Sequence, residues 1–78
     1  MKNFLLLSKG VIGTTYTIQS LCSDIDIKTK TRLLELGFFA GEKVKILAKS
    51  LIGRVLLVEL QNCVLTIRTQ EAYCVVIQ

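Results

Sequence analysis

Residues 32–47 read RLLELGFFAGEKVKIL and carry two glycines, Gly37 and Gly41, where the spacing of the hydrophobic residues changes. Before Gly37 the leucines fall on one broad helical face, and from Glu42 onward apolar and charged residues alternate as in a strand. Because glycine tolerates positive φ, we predict that Gly37 ends the helix and that Gly41 occupies a turn position. The stretch therefore predicts a helix, a tight corner and a strand.

The helix should follow a first strand at residues 13–21, where GTTYTIQSL is rich in threonine and alternates apolar with polar residues. Asp24 or Asp26 can cap the first turn, because a carboxylate accepts hydrogen bonds from free backbone amides. We expect Phe38 and Phe39 to pack at the corner that follows the helix. The apolar face of the helix carries Leu33, Leu34 and Leu36.

Four more strands are predicted after the corner, at residues 42–49, 54–60, 63–68 and 73–77. Gln61 and Asn62 suit a tight hairpin, and TQEA a short turn or a single helical turn. One face of the strand at 42–49 would carry Val44, Ile46 and Ala48, and the other Lys43, Lys45 and Lys49. Because closure removes aggregation-prone edges, we predict a mainly β fold, a small barrel of about five strands with one helix inserted after the first.

The composition is typical of one small domain, residues 1–78, with an aliphatic core, since 51% of the 78 residues are hydrophobic. The formal charge of +4 comes from scattered basic residues, so we interpret it as an aid to solubility. Three cysteines without a C-x-x-C pair are expected to be reduced core thiols. No apolar stretch has the length of a signal peptide or a membrane span, which predicts a cytoplasmic protein.

Few residues could carry chemistry, because the sequence has no histidine and no glycine-rich phosphate loop. A thiol in an apolar strand has a raised pKa, which argues against a catalytic cysteine. Cys22, Asp24 and Asp26 form the one cluster that resembles a set of metal ligands, but helix capping is the stronger interpretation. We therefore expect no enzyme, no cofactor and no transition metal site.

A surplus of apolar residues around the turn between the second and third predicted strands suggests a contact surface, because contiguous exposed apolar residues often mark one. An equally weighted alternative is that these residues cover the open end of the barrel. A homo-oligomer formed through the same surface is also compatible with the pattern. The predicted partner interface comprises Leu47, Leu51, Ile52, Arg54 and Leu57.

The sequence of residues 32–47 resembles the signature of the FeoA family, small cytoplasmic proteins with an SH3-like barrel. The resemblance extends over about residues 13–77, and VLLVELQNCVLTIRTQEAYCVVI is similar to the closing pattern of the family. The chain departs from the family at Ala40 and at residues 51–54, where members often carry a proline. The matching positions include Arg32, Leu33, Glu35, Leu36, Gly37, Phe38, Gly41, Val44, Ile46, Arg68, Glu71 and Ala72.

This resemblance implies a role in bacterial ferrous iron uptake, as an accessory or regulatory protein that associates with the FeoB transporter. It places the protein in the cytoplasm, at the inner face of the inner membrane when bound, with membrane contact only through the transporter. It does not imply that the small protein itself binds iron.

Two other interpretations come from different protein classes. A small RNA-binding barrel could use the basic residues of one strand and its loop, although few aromatic residues are available to stack bases, so nucleic acid is the weaker partner. The barrel could also resemble the C-terminal SH3-like domain of metal-dependent repressors, although no winged-helix segment accompanies it. The basic residues of the RNA alternative are Lys43, Lys45, Lys49 and Arg54.

Overall fold

The computed structural model describes residues 4–78. Over this range the chain forms one antiparallel sheet with the strand order β1-β6-β2-β3-β4-β5. The elements are β1 (Leu5–Leu6), a 3-10 turn (Leu7–Lys9), β2 (Thr15–Leu21), α1 (Ile27–Leu36), β3 (Lys43–Lys49), β4 (Val55–Leu60), β5 (Cys63–Arg68), α2 (Thr69–Ala72) and β6 (Val75–Ile77).

The predicted mainly β fold is confirmed, with the long helix inserted between β2 and β3 and a single helical turn at α2. The structure adds β1, a two-residue strand that pairs with β6. Sequence reasoning missed it because the apolar run at residues 4–7 does not alternate. The predicted hairpin between β4 and β5 is also present, with φ values of 54° at Gln61 and 66° at Asn62.

Helix α1 begins and ends as its sequence predicts. Of the two candidate caps, Asp26 is the one used, and its carboxylate accepts a hydrogen bond from the Thr29 backbone amide at 3.4 Å. Hydrogen bonds from the Thr29 side chain and backbone amide lower the pKa of Asp26. At the other end Gly37 has a φ of 102°. The Phe38 amide donates to the Leu33 carbonyl oxygen at 3.0 Å, which completes a Schellman motif.

Replacing Gly37 by alanine should lower the free energy of unfolding by about 1 to 2 kcal/mol, because a side chain is disfavoured in the left-handed region. The new Cβ would also lie 3.2 Å from Nε2 of Gln61. Gly41→Ala is a control for the backbone strain alone. The φ value there is 93°, but no atom beyond the adjoining residues lies within 4 Å of the added Cβ. Urea unfolding measures both losses. A negligible loss at Gly37 would contradict the expected strain.

The two phenylalanines at the corner have different environments. Phe38 is buried with 1% of its surface exposed, whereas Phe39 is 47% exposed. The expectation that both would pack is therefore wrong for Phe39. Phe38 enters the core beside the last turn of α1, and the chain reverses direction directly after it, so the next side chain points away from the core.

A β-bulge in β3 changes which residues of that strand share a face. Ile46 lies opposite Val58 and Ala48 lies opposite Leu57, so Leu47 is an extra residue between them. Beyond the bulge, Ala48 is exposed. The register also places Lys49 opposite the buried Leu56. The prediction that Ala48 shares a face with Val44 and Ile46, and Lys49 with Lys43 and Lys45, is therefore wrong.

The core is aliphatic, as the composition predicts, with Phe38 as its one aromatic member among the described residues. The expected burial of the cysteines is wrong, since Cys63 is exposed and Cys22 and Cys74 are half-buried. Cys22 follows the end of β2 and Cys74 precedes the start of β6, and Cys74 packs against the edge of the core. Core residues are Leu7, Ile18, Leu33, Phe38, Val44, Ile46, Leu56, Val58, Leu60, Ile67, Ala72, Val75 and Ile77.

Candidate functional site

The turn between β3 and β4, residues 50–54, is held in place by its own hydrogen bonds. The Ser50 hydroxyl accepts from the backbone amides of Arg54 at 2.9 Å and Val55 at 3.1 Å. The Gly53 carbonyl oxygen accepts from the Thr69 hydroxyl at 2.6 Å, and the Arg54 carbonyl oxygen accepts from the Thr69 amide at 2.8 Å. The turn, which we name the 50–54 loop, is therefore tied to the start of α2.

The 50–54 loop presents two adjacent aliphatic side chains to solvent. Leu51 is 106% exposed and Ile52 is 76% exposed, the highest values among the large hydrophobic residues of the described chain. This exposure contradicts the alternative that these two residues cover the end of the barrel. Two neighbouring aliphatic side chains on a hydrogen-bonded turn are suited to insertion into an apolar recess on a partner, because little conformational freedom of the turn is lost on binding.

The five predicted interface residues occupy two parts of one hairpin. The loop carries Leu51, Ile52 and Arg54, all exposed, whereas Leu47 and Leu57 are half-buried in the strands at its base. Leu57 lies opposite Ala48, and Leu47 is the bulge residue. The structure therefore brings the exposed members together in the loop, and the two strand leucines offer a smaller apolar surface. Binding through this set stays a prediction.

A groove of about 630 Å³ adjoins the loop and carries positive charge. Arg54 and Arg68 both line it, and Tyr73 lies at its side. The Nζ atom of Lys9 lies 5.9 Å from the centroid of the Tyr73 ring, which adds a third cation nearby. Within residues 4–78 the single salt bridge involves other residues, so the guanidinium group of neither groove arginine forms a salt bridge there. An acidic group on a partner would be favoured at this groove.

The charged positions of the sequence signature join the two helices. Arg32 on α1 donates from Nε to the Glu71 carboxylate on α2. The second oxygen of that carboxylate accepts from the Arg68 backbone amide at 2.8 Å. Glu71 is 7% exposed and is the one buried charged residue among those described. The signature at these positions is explained by folding, because Glu71 satisfies the backbone at the start of α2 and pairs with α1.

The apolar signature residues also have structural positions. Leu33 and Ala72 are fully buried and Leu36 is half-buried. Glu35 is exposed and makes no hydrogen bond or salt bridge to another described side chain, so the structure offers no physical reason for its place in the signature. Gly37 and Gly41 supply the two left-handed backbone positions on either side of the corner.

Sequence reasoning missed a second surface beside α1. A cavity of about 500 Å³ lies between the end of β2, helix α1 and the corner, and Cys22 and Leu34 are among its lining residues. Ile27 is 72% exposed at its rim, together with the exposed Phe39. The sequence signal was present, since Ile27 lies seven residues, about two helical turns, before Leu34 and therefore on the same side of the helix.

The basic residues proposed for RNA binding do not form one continuous surface. The bulge separates Lys49 from the face of Lys43 and Lys45, and Nζ of Lys49 donates to the Ser8 carbonyl oxygen at 3.2 Å. Nζ of Lys43 donates to the Thr17 hydroxyl, and Lys45 lies opposite Glu59. The lysines are therefore divided between two faces, and Glu59 offsets part of the positive potential that binding to a phosphate backbone would require.

The described residues contain no group of three or more cysteine, aspartate or glutamate side chains that could hold a metal ion. Asp26 of the suspected ligand cluster serves as the helix cap. Burial, together with the nearby charges of Cys22, Asp24, Asp26 and Glu71, raises the pKa of the Cys74 thiol. A raised pKa lowers the thiolate fraction, which disfavours Cys74 as a nucleophile at neutral pH. Over residues 4–78, no helix has the length and apolar character needed to cross a membrane.

The antiparallel sheet with its inserted helix defines a small SH3-like barrel protein. A family model, described as the FeoA domain, matches residues 5–78. The chain belongs to the FeoA family, which confirms the resemblance found in its signature residues. The comparison with curated proteins found no match.

Solved structures with the same fold include proteins of more than one class. FeoA from Stenotrophomonas maltophilia, complexed with zinc, is 32% identical with a TM-score of 0.82, and 95% of this chain aligns with 89% of that protein. That protein is described as a prokaryotic SH3 domain protein and a candidate ferrous iron transport activating factor. A FeoA-like protein from Clostridium acetobutylicum is 18% identical with a TM-score of 0.88, and coverage is 100% of this chain and 88% of that one.

The third comparison concerns a larger protein. A manganese-dependent transcriptional repressor in complex with manganese is 15% identical with a TM-score of 0.87. The match covers 99% of this chain but 37% of the repressor, and at this identity it shows a shared fold alone. Zinc and manganese are named for those two proteins.

Proposed function

We propose that this protein is a non-enzymatic accessory protein of ferrous iron transport that acts in the cytoplasm by binding the FeoB transporter. Membership of the FeoA family supports the transport role. The observation that carries the binding proposal is the 50–54 loop, where Leu51 and Ile52 are held exposed by a hydrogen-bonded turn. The protein would reach the inner face of the membrane through the transporter.

The proposed contact has an apolar centre and a basic edge. Leu51 and Ile52 would enter a recess on the transporter, and burial of two aliphatic side chains supplies the main favourable free energy. Arg54 and Arg68 in the adjoining groove would face acidic groups of the transporter, which favours rapid association and correct orientation more than affinity. Such an interface should depend weakly on salt.

Binding to detergent-solubilised FeoB from the same source, without nucleotide and with GDP or a GTP analogue, tests this proposal. We expect saturable binding that persists at moderate salt, since the apolar contact is not screened. Comparison of the three nucleotide states shows whether the nucleotide bound to FeoB controls this binding. Absence of binding in every state would contradict the proposed function. If the protein instead bound RNA with a steep dependence on salt, the alternative function as a small RNA-binding barrel would be supported.

A further inference from the structure

Two cysteines, Cys22 directly after β2 and Cys74 directly before β6, lie opposite each other. The register pairs Ser20 with Val76 and Leu21 with Val75, so its next step pairs Cys22 with Cys74. The Cys22 amide donates to the Cys74 carbonyl oxygen at 2.9 Å, which shows that the two backbones stay adjacent at this step. In such a hydrogen-bonded pair the Cα atoms lie about 5.5 Å apart, which is within the Cα separation that a disulfide spans.

The sulfur atom of Cys22 faces the segment that carries Cys74. Sγ of Cys22 lies 3.4 Å from the carbonyl oxygen of Tyr73, the residue bonded to Cys74. Sγ of Cys74 lies 3.8 Å from the Gln70 carbonyl oxygen, on the same segment. Both residues are half-buried and both thiols are free. Opposite residues of a pair share a face of the sheet, so the two side chains project to the same side.

We propose that Cys22 and Cys74 form a redox-active dithiol that a small-molecule disulfide, such as oxidised glutathione, converts to an intramolecular disulfide. The Cys22 thiolate attacks one sulfur of the oxidant, forms a mixed disulfide and releases one thiolate of the oxidant. The Cys74 thiolate then attacks the Cys22 sulfur and expels the second thiolate. The two protein protons end on the two released thiols, so two protein thiols are oxidised and one disulfide is reduced.

The order of the two attacks follows from the surroundings of Cys74. Burial and the neighbouring charges raise the pKa of Cys74, so this thiol is mostly protonated at neutral pH and is the slower of the pair to attack an oxidant in solution. Cys22 lines the open cavity beside α1, where a small disulfide can approach. Once the mixed disulfide is formed, Cys74 attacks from within the molecule, where proximity compensates for its low thiolate fraction.

The disulfide between Cys22 and Cys74 would link two segments that are far apart in the sequence. Cys22 and Tyr73 are 51 positions apart, so a bond from Cys22 to the next residue closes most of the chain into one loop. It would join the segment before α1 to the segment after α2, and Cys22 is part of the cavity wall beside α1. The proposal does not depend on binding to the transporter, because it concerns the isolated chain.

The test uses the full chain with Cys63→Ser, which removes the exposed thiol that would otherwise react between molecules. After incubation with oxidised glutathione, we expect both remaining thiols to be lost in a monomer whose mass corresponds to removal of two hydrogen atoms. Closure of so long a loop should raise the Tm by roughly 10 °C relative to the reduced chain. Peptide mapping of the unreduced product should recover Cys22 joined to Cys74.

In the same background, Cys74→Ser should stop at a mixed disulfide between Cys22 and one glutathione, whereas Cys22→Ser keeps only the slower thiol and should react more slowly. Neither variant should show the rise in Tm. Stable glutathione adducts, covalent dimers or unchanged thiols in the Cys63→Ser chain would overturn the proposal. Peptide mapping of the oxidised Cys63→Ser chain identifies the bonded cysteines by itself. The test therefore holds even where a second serine substitution prevents folding.

Discussion

Replacing both Leu51 and Ile52 with aspartate should weaken binding to FeoB by about 100-fold or more, while the fold stays intact. The two side chains are 106% and 76% exposed, so the substitution removes no core contact. In the complex, however, two carboxylates would be placed in an apolar recess without partners, which is strongly unfavourable. The measurement is a titration of solubilised FeoB with each variant, accompanied by thermal unfolding of the free proteins.

The matched control is the double variant Val11→Asp with Ile12→Asp, a second adjacent pair of exposed aliphatic residues, 63% and 53% exposed. It adds the same charge to a different turn, so its affinity should stay within a fewfold of the wild type. Equal losses in both double variants would show a general effect of negative charge. Unchanged affinity in the loop variant would remove the 50–54 loop from the interface, although FeoB binding itself could persist.

Glu71→Ala should lower the free energy of unfolding by about 3 kcal/mol, because a buried carboxylate that accepts two hydrogen bonds is lost. The Arg68 amide would lose its acceptor at the start of α2, and Arg32 would lose its partner. Arg32→Ala should cost less, about 1 kcal/mol, since the Arg32 side chain is 52% exposed and solvent screens its charge. Urea unfolding of the single and double variants measures the coupling between the two side chains.

Glu35→Ala is the control for charge, because Glu35 is an exposed glutamate on α1. Its substitution should change stability by about 0.5 kcal/mol or less. If Glu71→Ala lost no more stability than Glu35→Ala, the buried carboxylate would not be important for folding. If Glu71→Ala lowered stability by the same amount with and without Arg32→Ala, the stabilising effect of Glu71 would come from its hydrogen bond with the Arg68 amide alone.

The Glu71 contacts change how the sequence signature is understood. Arg32 lies far from Arg68 and Glu71 in the chain, yet the structure joins the three residues in one network between α1 and α2. No spacing rule predicts the pair of Arg32 and Glu71, because it depends on how two helices pack against one sheet. The resemblance to the family identified these positions without explaining them, and the contacts of Arg32 and Glu71 indicate a role in folding.

Local residue chemistry was sufficient for much of the fold. Alternation located the strands, Asp26 capped α1, and Gly37 ended it with a φ of 102° that favours glycine. Asn62 allowed the hairpin before β5. Each of these features depends on neighbours within a few residues, so a single sequence carries the information.

The features that sequence reasoning missed depend on distant parts of the chain. The bulge at Leu47 arises in the pairing of β3 with β4, and it moves Ala48 and Lys49 to unexpected faces. The opposition of Cys22 and Cys74 follows from the register of β2 on β6. The apolar pattern and the glycines thus specify the order and type of the elements. Register, side-chain exposure and the buried Glu71 pair are set by packing between residues that are remote in sequence, which no local pattern encodes.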